Sequence, residues 1–377
     1  MRYLSILLLT FLLGICFMVP QALGEPDSSV TILTLQQAID LALQHDINLQ
    51  NANLEVDKTE KQREIAAEVI NFTPLMGSSY DEATQENWMN LLYADLAWRK
   101  SKKTLEANRD SLVLRTCKSY WDVQTAQEEV ALKEKLEQQA LVNLQKARAG
   151  AMAGTVSEYD LMGIENQWQQ ARNNVKLAKQ ALDDTYSSFN DLIGLDANDR
   201  PVLSDKPIFE PLKIDNLDYE IQRVIAESPS VWLAQQQVTL KKWAYDMVYS
   251  SGSYTPYKVR QIELEQAELN AASAEEAIAQ VTRSLYYQIK NVEENYNTAL
   301  EALKVAEEQL RIAKVKYDVG MATKSDVIAA EVAVAQAQQT INDLVRNHAY
   351  LKLAFAKPWA ASGGSSSSSV SNATQEK

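Results

Sequence analysis

The sequence carries the same turn and helix start twice, once around Gly154 and once around Gly320. Tyr317–Gln338 reads YDVGMATKSDVIAAEVAVAQAQ, and a weaker copy at Ala151–Arg172 reads AMAGTVSEYDLMGIENQWQQAR. The two copies align at one fixed sequence offset, which matches Gly154 with Gly320, Ser157 with Thr323, Asp160 with Asp326, and Glu165 with Glu331. A repeat at a fixed offset predicts a fold built from two similar halves.

A second, larger offset relates the segments before the long helices. It places Leu49 on Val231, Val56 on Val238, and Phe72-Thr73-Pro74 on Tyr254-Thr255-Pro256. Each half therefore reads as helix, Thr-Pro break, long helix, glycine turn and helix. The two offsets differ because the first half carries an insert directly after Pro74.

Hydrophobic spacing in the second half predicts one very long helix. Only 11 glycines and 9 prolines interrupt the 377 residues, and apolar positions three and four residues apart are typical of a coiled-coil seam. A helix over 258–319 would be about 90 Å long, with one stutter near Leu285. The expected seam positions are Ala271, Ala274, Ile278, Val281, Leu285, Ile289, Val292, Tyr296, Ala299, Leu303, Ala306, Leu310, Ala313 and Tyr317.

The turn chemistry predicts how each long helix ends and the next begins. Gly320 follows the seam at the position where a left-handed helix C-cap favours glycine. Thr323-x-x-Asp326 is a capping pattern for the returning helix, and Gly154 with Ser157-x-x-Asp160 repeats the arrangement. We therefore expect an all-α fold of two tandem repeats of long antiparallel helical hairpins, with these turns as their tips.

The chain resembles the TolC-type outer-membrane efflux duct family. The motifs that carry the resemblance are the two tips, LTLQQAIDLALQHDINL at Leu33–Leu49, VIAESPSVWLAQQQV at Val224–Val238, and the Thr-Pro of each half. The resemblance implies a homotrimer whose six hairpins form an α-helical tunnel for export. Its partners would be a periplasmic or extracytoplasmic adaptor protein and an inner-membrane transporter.

The resemblance also implies roles for the tip residues. Gly154, Thr155, Gly320 and Met321 would form the tip turns that dock on the adaptor. Asp160, Asp326 and Tyr317 would line the tip aperture, beside the capping residues Ser157 and Thr323. An acidic residue that the family places three positions after Asp326 is replaced by Ala329. The alternative for both aspartates is helix capping alone, and for Tyr317 ordinary packing in the seam.

One part of the family pattern is missing from the sequence. The family places a β-hairpin after each proline, and a membrane-spanning strand needs about 9 to 11 residues that alternate between apolar and polar. The first half offers LMGSSYDEATQENWMNLLYA and the second continues into charged, helix-favouring sequence. We expect little or no β-barrel, so that membrane insertion is in doubt. The insert forms either a surface loop with Trp88, Leu91, Leu92 and Tyr93 as a membrane-touching patch, or the start of the next helix.

The ends of the chain have compositions of their own. Residues 1–24 read as a secretory signal peptide, with an uncleaved anchor as the alternative, so the protein is exported to the cell envelope. The first repeat is expected at 33–193, a linker at 194–218, the second repeat at 219–359 and a disordered tail at 362–377. Cys117 is the only cysteine after the signal, which leaves no intrachain disulfide.

Charge and motif content argue against other functions. The net charge of −13 opposes binding to nucleic acid. Only two histidines, His45 and His348, are present, and no metal-binding, phosphate-binding or catalytic motif accompanies them. We expect no enzyme, no cofactor and no metal. The sequence favours a passive duct component, and the alternative is an exported coiled-coil structural or adaptor protein that conducts nothing.

Overall fold

The computed structural model describes residues 32–70, 82–246 and 257–362. Helices dominate these ranges, with two short strands. In chain order the elements are β1 (Ile32–Leu33), α1 (Leu35–His45), α2 (Ile47–Glu68), α3 (Glu82–Met152), α4 (Glu158–Ile193), β2 (Val202–Leu203), α5 (Leu217–Glu227), α6 (Pro229–Asp246), α7 (Tyr257–Asp318), α8 (Lys324–Ala356) and α9 (Pro358–Ser362).

The four longest helices lie side by side in one layer. The pair α3 and α4 and the pair α7 and α8 each form an antiparallel hairpin, and α3 packs against α8. The order across the layer is therefore α4, α3, α8, α7. The shorter α2 packs on α3 and α6 on α7, toward the ends opposite the tips. The predicted all-α fold of two tandem long hairpins is confirmed.

The seam of α7 follows the predicted spacing with two exceptions. Ile289, Val292, Ala299 and Ala306 are buried as expected. Val281 is 43% exposed, however, and Thr282 is fully buried in its place. The Thr282 hydroxyl donates to the Ile278 carbonyl at 2.7 Å, so no polar group is left unpaired there.

The exchange at position 281 has a geometric reason. Ala271 and Thr282 are both buried, and they lie eleven residues apart, which is three turns of about 3.67 residues each. This spacing rotates the buried face of α7 relative to a strict heptad, so Thr282 is buried where the heptad would bury Val281. The second exception is Tyr317, which is 46% exposed. At the tip the hairpin turns over, so the seam ends before Tyr317.

The breaks between short helices recur in the second half, at the offset that places Leu49 on Val231. Thr34 caps the start of α1 and Asn216 that of α5, each through a side-chain oxygen that accepts a backbone N–H. Asp46 separates α1 from α2 with ψ of 114°, and Ser228 separates α5 from α6 with ψ of 123°. Both residues are extended; Pro229 directly follows Ser228 and disfavours helical backbone there, whereas Ile47 follows Asp46.

The segment between the halves, expected as a linker at 194–218, makes ordered contacts with both. Val202–Leu203 pairs in parallel with Ile32–Leu33, in the register Ile32 with Val202 and Leu33 with Leu203. We call residues 204–216 the strap. Asp205 fixes its start, because its carboxylate accepts from the Leu35 N–H at 2.9 Å and its N–H donates to the Tyr120 hydroxyl at 3.0 Å.

Two hydrophobic clusters hold the helices together. The first surrounds Tyr120 and Phe189, whose rings meet edge to face with centroids 6.0 Å apart. The second surrounds Ile289 and Phe355 at the junction of α7, α8 and α9. The first cluster lies where β1, β2 and α1 meet α3 and α4. In the second, Leu212 and Ile214 of the strap pack against α7 and α8. Buried aromatic and branched side chains contribute strongly to the energy of burial.

Several expectations lie outside the described residues: the signal peptide at 1–24, the tail beyond Ser362, both Thr-Pro breaks, and residues 75–81 of the insert. Ser362 itself is the last residue of α9. Trp88, Leu91, Leu92 and Tyr93 belong to α3, so these four residues form part of the next helix, as the second alternative states. None of the described helices combines the length and apolarity needed to cross a bilayer.

Candidate functional site

The two hairpin tips have the same backbone turn. Gly154 and Gly320 have φ angles of 73° and 76°, in the left-handed region that glycine enters without a Cβ penalty. In the first tip the Thr155 N–H donates to the Gly150 carbonyl at 2.8 Å, and in the second the Met321 N–H donates to the Lys316 carbonyl at 2.7 Å. This is the Schellman motif, which satisfies the last carbonyls of the outgoing helix.

The returning helices begin at Ser157 and Thr323, the predicted cap positions. The Asp160 N–H donates to Ser157 Oγ at 3.1 Å, and Ser157 Oγ donates to Asp160 Oδ2 at 2.7 Å. In the second tip the Thr323 N–H and hydroxyl donate to Asp326 Oδ2 at 2.7 and 2.8 Å. The backbone and side-chain donors of Thr323 lower the pKa of Asp326, so both aspartates are engaged in capping contacts.

The remaining tip side chains are mostly exposed and apolar. Met321 and Tyr317, which were predicted site residues, are exposed. The Thr155 hydroxyl instead turns back to the Gly150 carbonyl at 2.9 Å. Other exposed apolar side chains near the tips are Met152, Tyr159, Met162 and Val319. Each tip therefore presents large apolar side chains around a turn whose polar groups are satisfied locally.

The two tips stand at different heights. Ser325, just after the second tip, donates to Asn143 on α3. Asn143 lies eleven residues before Gly154, whereas Ser325 lies only five after Gly320. At about 1.5 Å of rise per residue, the first tip projects about 9 Å beyond the second. The structure thus brings the tips side by side but does not place Asp160 and Asp326 at one level.

Polar contacts between the hairpins were missed by sequence reasoning. Arg346 and Asn342 on α8 contact Glu128 on α3, and Gln339 contacts Glu129 at 2.7 Å. A sequence signal existed, since Gln339, Asn342 and Arg346 are spaced three and four residues apart, as on one face of a helix. Pairing them with α3 required knowing that the hairpins pack side by side. Within the described part of the chain, no group of His, Cys, Asp and Glu could hold a metal ion.

Neither a family model nor a curated protein matches the sequence. Solved structures do match. The Campylobacter jejuni CmeC outer membrane channel has a TM-score of 0.62 at 14% identity, over 86% of this chain and 85% of that one. The outer membrane protein VceC of Vibrio cholerae gives 0.59 at 14%, over 88% and 96%. The open Neisseria gonorrhoeae MtrE outer membrane channel gives 0.55 at 16%, over 87% and 88%. The chain has the fold of the TolC-type outer-membrane efflux channels.

Proposed function

We propose that the protein is a component of an export duct in the cell envelope, a homotrimer whose hairpins surround a passive α-helical tunnel. The observation that carries this proposal is the single open layer of four long helices, with α4 and α7 at its edges. The likeness to solved outer membrane channels over nearly the whole described chain supports it at the level of the fold. The two halves, 33–193 and 219–359, would each supply one hairpin.

The edge helix α7 has a second apolar face. Its buried seam packs on α8, while another set of apolar side chains is exposed on the opposite side. Successive members recur after about two or about five full turns, which returns them to the same side of a helix: Ile262, Leu269, Tyr287, Val305 and Ile312 in α7, followed by Val319 directly after its end. A second apolar stripe on one helix indicates packing on both sides.

The partner of that stripe is a second copy of this chain. The other edge of the layer, α4, exposes Tyr159, Met162 and Leu177 and has only α3 and α1 as extensive neighbours within the described chain. A contact of α4 on one copy with α7 on the next joins two different surfaces. Such a head-to-tail contact closes into a ring when the rotation between copies allows it, and three copies would give six hairpins.

The tips would dock on an adaptor, with an inner-membrane transporter beneath. Exposed Met152 and Met321, one at each tip, support a protein contact there, since clustered exposed apolar groups mark interaction sites. Gly154, Thr155 and Gly320 shape that surface. Tyr317, Asp160 and Asp326 lie close enough to the turns to line the aperture as well as to cap helices.

Interhelical contacts give the heights needed for a direct test. Lys179 on α4 pairs with Glu134 on α3, Gln339 on α8 with Glu129 on α3, and Lys314 on α7 with Glu331 on α8. These pairs link α4 to α3, α3 to α8 and α8 to α7, and so give the position of each helix along the hairpin axis. Along that axis, Leu177 lies within about one helical turn of Ile312. Within one chain these positions are three helix spacings apart, about 25 Å, too far for a disulfide.

The test is oxidative cross-linking of the double variant Leu177→Cys and Ile312→Cys. If the protein forms a trimeric ring, disulfide-linked dimers and trimers should appear on a non-reducing denaturing gel. The matched control pairs Leu177→Cys with Leu269→Cys. Leu269 is exposed on the same stripe but lies about 65 Å farther from the tip along α7 than position 312. Equal cross-linking in both variants, or none in the first, would contradict the ring and favour a non-conducting coiled-coil protein.

A further inference from the structure

The strap has a second anchor, on the second hairpin. The Leu212 N–H donates to Glu293 Oε1 on α7 at 2.6 Å. Lys290 Nζ donates both to the Leu212 carbonyl at 2.9 Å and to Glu293 Oε2 at 2.8 Å. Lys352 on α8 adds a contact to the Glu210 carbonyl at 3.2 Å. One carboxylate and the lysine paired with it therefore hold both backbone groups of Leu212.

A buried imidazole shares that carboxylate. His348 on α8 is 1% exposed, and its Nε2 lies 3.3 Å from Glu293 Oε1. Since an ionised carboxylate can only accept, Nε2 carries the hydrogen. Phe209 of the strap covers the ring, with centroids 4.7 Å apart, and stacks on Tyr296 at 3.7 Å. The strap is thus the lid of the pocket that buries His348.

Protonating His348 would place a cation in this closed site. Burial lowers its pKa, and the nearby ammonium groups of Lys352 and Lys290 lower it further, while Glu293 opposes them. These three are the charged groups that face the ring from α7 and α8. Glu293 offsets the cost of burying the imidazolium only in part, because the net shift of the His348 pKa is downward. Water would stabilise the cation further, and its entry requires the strap to move.

We propose that the second anchor of the strap is acid-labile. Protonation of His348 at mildly acidic pH opens the contact at Leu212 and Phe209, and the second hairpin is freed from the strap. The first anchor, at Asp205, stays closed. This inference does not depend on the proposed export function, although a protein outside the cytoplasm is exposed to the pH of its surroundings.

Two other groups at the anchors have shifted pKa values. Although burial opposes its ionisation, Lys290 and the Leu212 N–H hold the pKa of Glu293 below its usual value. Burial raises the pKa of the Tyr120 phenol at the first anchor. A histidine with a lowered pKa gives stability that is present above about pH 6.5 and is lost as the pH falls through its folded value. His45, the only other histidine, is exposed at the end of α1.

Hydrogen exchange of the full-length protein tests the proposal. The rate at the Leu212 amide is compared between about pH 7.5 and about pH 5, after correction for the pH dependence of chemical exchange. We expect a several-fold loss of protection at Leu212 on acidification, with Asp205 unchanged. His348→Gln should abolish the pH dependence, and His45→Gln should retain it. Unchanged protection at Leu212, or the same acid loss in His348→Gln, would overturn the proposal.

A second measurement covers the case in which His348→Gln does not fold. In the wild-type protein with labelled histidine, NMR reports the titration of both imidazoles. The proposal requires that the loss of protection at the Leu212 amide follow the protonation of His348. Opening that follows His45, or that occurs while His348 is still neutral, would contradict it.

Discussion

Arg346 on α8 and Glu128 on α3 form a two-pronged ion pair across the interface between the hairpins. The Nη1–Oε1 and Nη2–Oε2 distances are 3.2 and 2.5 Å, and Asp343 accepts from Nη2 at 2.9 Å. The Arg346 side chain is only 8% exposed. Although burial opposes ionisation of Glu128, the hydrogen bond and charge of Arg346 hold its pKa below the usual value. This pair ties one hairpin to the other.

Glu128→Gln should therefore destabilise the protein markedly. The substitution leaves a buried cation with Asp343 as its remaining carboxylate partner, and we expect a loss of roughly 2–3 kcal/mol in the free energy of unfolding. Urea unfolding measures it. Glu308→Gln removes an exposed pair with Arg311 and should leave the stability unchanged. A similar loss in both variants would mean that the buried pair has no special role.

The same pair predicts a pH dependence. Because the folded pKa of Glu128 is depressed, its contribution is present above the unfolded value of about 4.3 and is lost as the pH falls through the folded value. Wild type should lose stability faster than Glu128→Gln below about pH 4.5. Parallel stability curves for the two proteins over this range would contradict the assigned role.

Gly194 ends α4 at a place with no room for a side chain. Its φ is 77°, and a Cβ would lie 2.5 Å from Cγ and Nδ1 of His45. Gly194→Ala should cost about 3 kcal/mol, from backbone strain together with the clash. Adding His45→Ala should relieve the clash with the imidazole but leave the backbone strain at position 194. A double variant as unstable as the single one would place the whole cost in the backbone.

The tip glycines should behave differently. A Cβ at Gly154 or Gly320 meets no atom within 4 Å, so alanine there costs backbone strain alone, about 1 kcal/mol at each tip. The two costs should add, since a Cβ at either glycine meets no atom of the other tip within 4 Å. Gly163, inside α4 and equally open, is the control, because alanine there should stabilise by roughly 0.5–1 kcal/mol. Loss of stability at Gly163 would invalidate the comparison.

Cys117 should be inert in the folded protein. It is buried, and burial raises the pKa of its thiol to about 11, so the reactive thiolate is scarce at neutral pH. Iodoacetamide should label it in urea but not in the native state. Labelling at equal rates in both would contradict its burial, and would also require its replacement before cross-linking through introduced cysteines.

Local patterns predicted the long helices and the tips well. Glycine caps, capping residues and the spacing of apolar side chains are properties of consecutive residues, so Gly154, Gly320 and the seam around Val292 could be assigned without tertiary information. The burial of Thr282 in place of Val281 could not be predicted in this way, because it depends on the rotation of α7 against α8. The alternative of Tyr317 as a packed seam residue is wrong for a related reason, since the seam has no partner beyond the tip and Tyr317 is exposed.

Long-range contacts were beyond the sequence. The segment that contains the strap has three prolines and no periodicity, and nothing in it indicates that Leu212 would meet Glu293 or that Leu203 would pair with Leu33. The pairing of Arg346 with Glu128 spans 218 residues. Such contacts follow from how the two hairpins lie together, which the repeat suggests but does not specify. The roles of the tip residues in docking and at the aperture stay predictions.

The most direct test of the proposed duct is electron microscopy of the purified mature protein, together with its mass in solution. The proposal predicts hollow cylinders containing three copies, with a helical body about 105 Å long, as expected from the length of α3. Monomers, or solid bundles without a central channel, would contradict it.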